Sequence, residues 1–311
     1  MVNLDYLPRP FPRFVTFSLL WSSVASRQAC RGAFGLLKEG KYVSLPITPV
    51  SSDIRGQFIF LGTGTSVGVP VIGCGCGVCT SPNPRNQRTR CAVAIGLPAG
   101  NVLIDTPPDL RTQLLREGIG VVHAVLFTHE HADHLFGLDD LRIMQFHLGG
   151  PVPLYCEGQV EARIRHSFDY AFKGNTTHAG AVPQLVFHRI GLEPIDVLGR
   201  QFIPIRLHHG PNFRVLGFRI GRIAYCTDTD HIPEESWPLL ENLDVFVVGA
   251  LRKRRHATHF SLPQAVEAAQ RVGARRTYFT HVSHELEYDQ TNASLPDGME
   301  LAYDGLRIPL T

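Results

Sequence analysis

The 311-residue chain has no uninterrupted apolar run of about 18 residues or more, so nothing in it reads as a transmembrane helix and no membrane partner is expected. It also lacks a dominant charge: 30 Lys and Arg stand against 28 Asp and Glu, a formal net charge of +2. That balance speaks against a dedicated nucleic-acid binder, which would carry a strongly basic face. The glycine-rich stretch Gly62-Thr-Gly-Thr-Ser-Val-Gly-Val-Pro70 lacks the Lys-Ser/Thr ending of a phosphate-binding P-loop. No internal repeat of fixed short period is present. There are 7 cysteines (Cys30, Cys74, Cys76, Cys79, Cys91, Cys156 and Cys226). An odd number with a cluster at 74–79 argues against a secreted disulfide framework and for a reducing cytoplasm, with thiolates kept for metal.

Histidine is plentiful. Fifteen of them beside 28 acidic residues point to metal or proton-transfer chemistry. The other proportions, 44% hydrophobic and 19% charged, are those of a soluble globular enzyme able to bury a sizeable core.

The densest chemistry is Thr128-His-Glu-His-Ala-Asp-His134. It follows an apolar, β-rich run, His123-Ala-Val-Leu-Phe-Thr128, that reads as a buried strand. His129, His131, Asp133 and His134 therefore sit on the turn leaving a strand, where a rigid scaffold can aim them at one point. Neutral imidazole and carboxylate suit a catalytic zinc, manganese or iron while leaving positions open for water. Upstream, Cys74-Gly-Cys76-Gly-Val-Cys79 can wrap one tetrahedral zinc, but a closed structural site needs a fourth ligand, here expected to be a distant histidine. Arg85, Arg88 and Arg90 lie in a polar loop and are either solvated surface or turned toward an anionic substrate.

Residues 1–55 differ from the rest. They carry Arg9, Arg13, Arg27 and Arg31 and one apolar stretch from Phe14 to Ala25, interrupted by hydroxyl residues. A targeting peptide uses such features, but a disordered tail or an early start accounts for them better. The folded domain is expected over 56–311. Its strands are placed at 57–61, 92–97, 101–105, 123–128, 152–156, 184–190, 201–207, 213–220, 222–226, 244–249 and 276–280. Helices are placed at 110–117, 138–147, 159–172, 234–241 and 262–272, the last opened by Ser261 and Pro263. Two terminal strands, 300–303 and 306–309, are expected to form a hairpin about Asp304-Gly305. The loop 173–183 is a candidate pocket wall or lid. His208-His209-Gly210, Asp228-Thr-Asp230 and His281-Val-Ser-His284 each follow a strand. The recurrence of strands and helices in two halves suggests two sheets between helices.

Taken together, these motifs resemble the metallo-β-lactamase superfamily from Phe60 to the C terminus. The pattern His-x-His-x-Asp-His, then a later His, Asp and His, falls on His129, His131, Asp133, His134, His209, Asp228 and His281. The resemblance implies an α/β fold, an αββα sandwich of two mixed sheets flanked by helices. It further implies two divalent catalytic metals, zinc or manganese: one held by His129, His131 and His209, the other by Asp133, His134 and His281, with Asp228 bridging. Within the superfamily the chain is similar to the phosphoribosyl 1,2-cyclic phosphate phosphodiesterase family of phosphonate degradation, on Leu61–Pro70, the three cysteines, Thr280-His-Val-Ser-His284 and Leu295–Gly305. That family implies a structural zinc on Cys74, Cys76, Cys79 and His284, and places His259 near the scissile phosphate.

The expected activity is therefore metal-dependent hydrolysis of a small cyclic phosphodiester. Hydroxide shared by the metals would attack phosphorus. Asp133 and His259 are the candidate catalytic residues, and His259 would protonate the leaving oxygen or hydrogen-bond the phosphoryl oxygens. Rival readings are a transfer-RNA 3′-end endonuclease, a thioester hydrolase, an iron dioxygenase and a non-catalytic zinc-stabilised binding module. A homodimer is admitted but not required.

Overall fold

A computed structural model describes residues 50–174 and 180–310. Its strands are β1 (Gln57–Gly62), β2 (Ala92–Leu97), β3 (Gly100–Ile104), β4 (Ala124–Leu126), β5 (Val152–Cys156), β6 (Leu185–Arg189) and β7 (Ile195–Val197). They continue with β8 (Arg200–His209), β9 (Phe213–Ile220), β10 (Ile223–Cys226), β11 (Val245–Gly249), β12 (Arg276–Thr280), β13 (Met299–Leu301) and β14 (Arg307–Pro309). The α-helices are α1 (Leu110–Glu117), α2 (Ala132–Leu135), α3 (Met144–Leu148), α4 (Gly158–Ser167), α5 (Leu262–Val272) and α6 (Tyr288–Asn292). None is long and apolar enough to cross a membrane.

The strands form two mixed seven-stranded sheets, ordered β14-β1-β2-β3-β4-β5-β6 and β13-β12-β11-β10-β9-β8-β7. Strand alternation explains the layering. On β1, Phe58 and Phe60 point between the sheets, where they meet Phe218, Tyr225, Val247 and Tyr278. Ile59 and Leu61 point the other way, under Leu110 and Leu114 of α1. The second sheet's outer face, with Phe246, Val248 and Phe279, is covered by Leu262, Ala265 and Ala269 of α5. The central strands β1 to β4, β10 and β11 are thus sealed on both faces, which is why they read as near-continuous apolar runs. Each fully buried Phe contributes roughly 2 kcal/mol.

Helix α5 starts as its sequence predicts: the Ser261 backbone N–H donates to Gln264 Oε1 at 3.1 Å, Pro263 lies in the first turn and Gly273 closes the end at φ 65°. Other helices are shorter than expected. Residues Leu138–Ile143 and Glu234–Leu240 are 3-10 turns, and Pro238, without an N–H, interrupts the second.

The terminal hairpin expected about Asp304-Gly305 does not form. β13 pairs with β12 in one sheet and β14 with β1 in the other. The reason is Asp304: its carboxylate accepts from the backbone N–H and hydroxyl of both Thr63 and Thr89, at 2.6–2.9 Å, so the chain is pinned as it crosses between sheets. Of the N-terminal extension expected over 1–55, residues 1–49 lie outside the described residues. Ile54 is 1% exposed and belongs to the core under α1.

Candidate metal centre

The seven residues predicted to hold the catalytic metals all lie at or just beyond the C-terminal end of a strand. The loop after β4 carries His129 to His134, β8 ends on His209, and Asp228 and His281 follow β10 and β12. β10, β11 and β12 are parallel, and β8 runs in their direction because it is antiparallel to β9, itself antiparallel to β10. The sheets are tied beneath the rim by Leu216 N–H donating to Thr128 O at 2.9 Å.

The ligand atoms fall into groups whose members lie within 4.8 Å of one another: His129, His131 and His209; Asp133, His134, Asp228 and His281; and His209, Asp228 and His259. Asp228 reaches across them. Its Oδ2 lies 3.2 Å from His281 Nε2 and 4.0 Å from both His129 Nε2 and His259 Nδ1, and its Oδ1 lies 3.4 Å from His134 Nε2. Two ligands held about 2 Å from one tetrahedral ion stand about 3.3 Å apart, so these spacings suit a shared metal. The Nε2 atoms of His134 and His281 are buried without a hydrogen-bond partner, a costly state unless a cation takes the lone pair.

The opposite ring nitrogens are largely accounted for. His134 Nδ1–H donates to Asp105 Oδ2 at 2.7 Å, and His209 Nδ1–H to Thr258 O at 2.6 Å. His129 Nδ1–H donates to Thr128 Oγ1 at 2.9 Å, and that hydroxyl donates to Asp105 Oδ2 at 2.8 Å. Fixing the proton on Nδ1 leaves Nε2 as a lone-pair donor pointing at the cluster. Asp105, Asp228 and His281 all adopt positive φ, 68°, 46° and 57°, conformations that cost a non-glycine residue energy and persist where the surroundings over-determine them.

Electrostatics follow from burial. Desolvation pushes His129 well below its usual range, with His134 adding to the shift. At His134, Asp228, Asp133 and Asp105 outweigh burial and favour a positive charge at Nε2, a proton where no cation is bound and a metal in its place otherwise. Burial opposes ionisation of Asp228, yet His281 and His134 hold it well below the carboxylate range. Burial and then His281 push His259 down to about 2; its ring stacks on that of His281 at 4.6 Å.

The second metal signature is equally compact. Cys74, Cys76 and Cys79 Sγ lie 3.4, 3.3 and 3.6 Å from His284 Nδ1, where a tetrahedral zinc with sulfur at about 2.3 Å and nitrogen at about 2.0 Å puts them about 3.5 Å apart. The backbone N–H of Cys79, then His284, draws the Cys76 thiol down to about 6, toward the thiolate a metal needs. No cysteine of the described residues is in a disulfide.

Some residues take other roles than the sequence suggested. Arg85 stacks over Tyr288 and Tyr303, buried Arg88 donates to Thr63 Oγ1 and Ala302 O, and Arg90 pairs with Asp109. All three are engaged with other parts of the chain. The glycine-rich loop is explained by crowding: a Cβ at Gly62 would stand 1.9 Å from Arg90 O, and one at Gly64 2.8 Å from Arg88 O. Of the candidate lid at 173–183, residues 175–179 lie outside the described residues. Asp105 was read from sequence only as a strand end; its signal was a carboxylate at a strand terminus, on the rim that carries the metal motif.

The chain matches the β-lactamase superfamily domain over residues 100–282. A crystal structure of a new diphosphatase from the PhnP family is 42% identical, with 81% of this chain and 96% of that one covered and a TM-score of 0.76. An octanoyltransferase of Porphyromonas gingivalis is 36% identical over 223 residues, 71% of this chain. The chain spans only 44% of that protein's length, so the name describes a longer molecule. A ribonuclease Z of Pyrobaculum neutrophilum is 26% identical over 223 residues, covering 58% of this chain and 76% of that protein.

Proposed function

We propose that this chain, which belongs to the metallo-β-lactamase superfamily and within it to the PhnP family, hydrolyses a small phosphodiester, a cyclic ribose phosphate in the first instance, at a two-metal centre. That it is a metal-dependent hydrolase follows from its family; the substrate and the count of metals are the proposal. The observation that carries it is Asp228, whose two carboxylate oxygens face histidines of both groups.

His129, His131 and His209 would hold one cation, Asp133, His134 and His281 the other, with Asp228 shared; zinc and manganese both suit these donors. Divalent cations there supply water acidified toward neutral pH and offset charge on the phosphoryl group. The chain's own part is orientation. Asp105, Thr128 and Thr258 hold three imidazoles with Nε2 turned inward. His259, its side chain 13% exposed beside Asp228, is held neutral by burial and by His281, which suits a hydrogen bond to the phosphoryl oxygens better than protonation of the leaving oxygen. Cys74, Cys76, Cys79 and His284 would hold a structural zinc. The diphosphatase relative makes a diphosphate bond the second substrate to try. The near-neutral net charge of the chain disfavours RNA as the substrate.

The test is a panel of cyclic phosphate, linear diester, diphosphate, RNA and thioester presented to the metal-loaded protein. Turnover of the cyclic or small linear diester is expected; turnover confined to RNA or thioester would overturn the assignment. His259→Ala at unchanged metal content should lose rate on the accepted substrate.

A further inference from the structure

Phe213 stands directly opposite His209 across the β8–β9 hairpin. Residues paired in this way send their side chains to the same face of the sheet. The register that delivers His209 to the metal cluster therefore delivers Phe213 beside it. The Phe213 ring meets His131 edge-on, centroids 4.9 Å apart at 64°, and lies 6.2 Å from His209. It is nevertheless 40% exposed, and His131 next to it is only half-buried. A partly exposed aromatic ring thus borders the cluster beside His131 and His209.

A simple shield for the histidines is the bland alternative, since single exposed apolar residues are common. The shared face with His209 and the opening at His131 favour contact with whatever enters. We infer that Phe213 is a stacking platform for a planar ring carried by the substrate, so that among ribose cyclic phosphates and other small phosphoesters this site prefers those that bear a base or aryl group. The inference rests on the phosphodiester assignment for its chemistry, but it is a statement about binding and is tested by binding. Stacking on an aromatic face tolerates many rings, which would allow a nucleobase or an aryl group alike.

The experiment is calorimetric titration of the purified, metal-bearing protein with phenyl phosphate and with methyl phosphate. Phenyl phosphate should bind about tenfold tighter, the scale of one aromatic stacking contact. Phe213→Leu should abolish that preference and Phe213→Tyr should keep it, with metal content measured for each variant. Equal affinity for the two ligands in the unmodified protein, or a preference that survives Phe213→Leu, would overturn the platform. So would a parallel loss of both affinities accompanied by loss of metal, which would mark Phe213 as a shield. Hydrolysis of bis(p-nitrophenyl) phosphate reports separately on the phosphodiesterase assignment. A phenyl preference without turnover would leave the platform standing and that assignment fallen.

Discussion

The Nδ1–H of His134 donates to Oδ2 of Asp105 at 2.7 Å, and neither residue is exposed to solvent. The same carboxylate takes the backbone N–H and hydroxyl of Thr128, which in turn accepts from His129 Nδ1–H, so one buried group orients a histidine of each proposed metal-ligand set. Losing such a partner typically weakens metal affinity about 10- to 100-fold. Asp105→Asn should lower bound metal and hydrolysis together by that order, as read by elemental analysis of the dialysed protein. Full metal content at full rate would remove its orienting role.

The two metal signatures are covalently close. His281 and His284 are three residues apart, and between them Val282 bridges to Gly64 and accepts from Thr65 N–H. Zinc on His284 should therefore brace His281. Cys76→Ala should lose the structural zinc and, with it, catalytic-metal affinity. If the variant lost that zinc yet kept full activity and unchanged affinity for the other metals, bracing would be wrong.

Crowding at the glycine-rich loop gives a stability difference. Gly62→Ala forces a Cβ to within 1.9 Å of a backbone oxygen, while a Cβ at Gly75 meets nothing within 4 Å. Denaturant unfolding should show a loss of about 3 kcal/mol or more for Gly62→Ala and a change within about 0.5 kcal/mol for Gly75→Ala.

Glu161 gives a pH-dependent stability. Its carboxylate, 5% exposed, accepts from Arg189 and Arg165, and these hold it below the usual carboxylate range. A depressed carboxyl stabilises the fold above its unfolded pKa of about 4.3 and loses that contribution as pH falls through the folded value. Both arginine side chains are about half-exposed or more, so the effect is small. Glu161→Gln should cost about 1 kcal/mol at pH 7, and the difference from the parent should close in acid. A gap that does not narrow with pH would contradict the ion-pair origin.

Much of the site is legible in the sequence because its chemistry is local: His129, His131, Asp133 and His134 lie within six positions, and the three cysteines do too. Alternation on β1 and the Ser261 cap are local as well. What depends on distant partners is not legible. Asp105 meets His134 29 residues later, and Asp304 is captured by Thr63 241 residues earlier, which splits an apparent hairpin between two sheets. Arg85 and Arg88 look like a basic surface until Tyr288, Tyr303, Thr63 and Ala302 are brought against them. Phe213 reads as one more strand residue until pairing sets it opposite His209.

The central claim, a shared two-metal centre beside a separate structural zinc, is tested most directly by counting metals per chain in the purified protein and in Asp228→Ala. Three metals in the parent are expected, with selective loss from the catalytic pair in the variant while the zinc on the cysteines stays. A parent that binds a single metal, retained in Asp228→Ala, would contradict the two-metal hydrolase and leave a zinc-stabilised fold in its place.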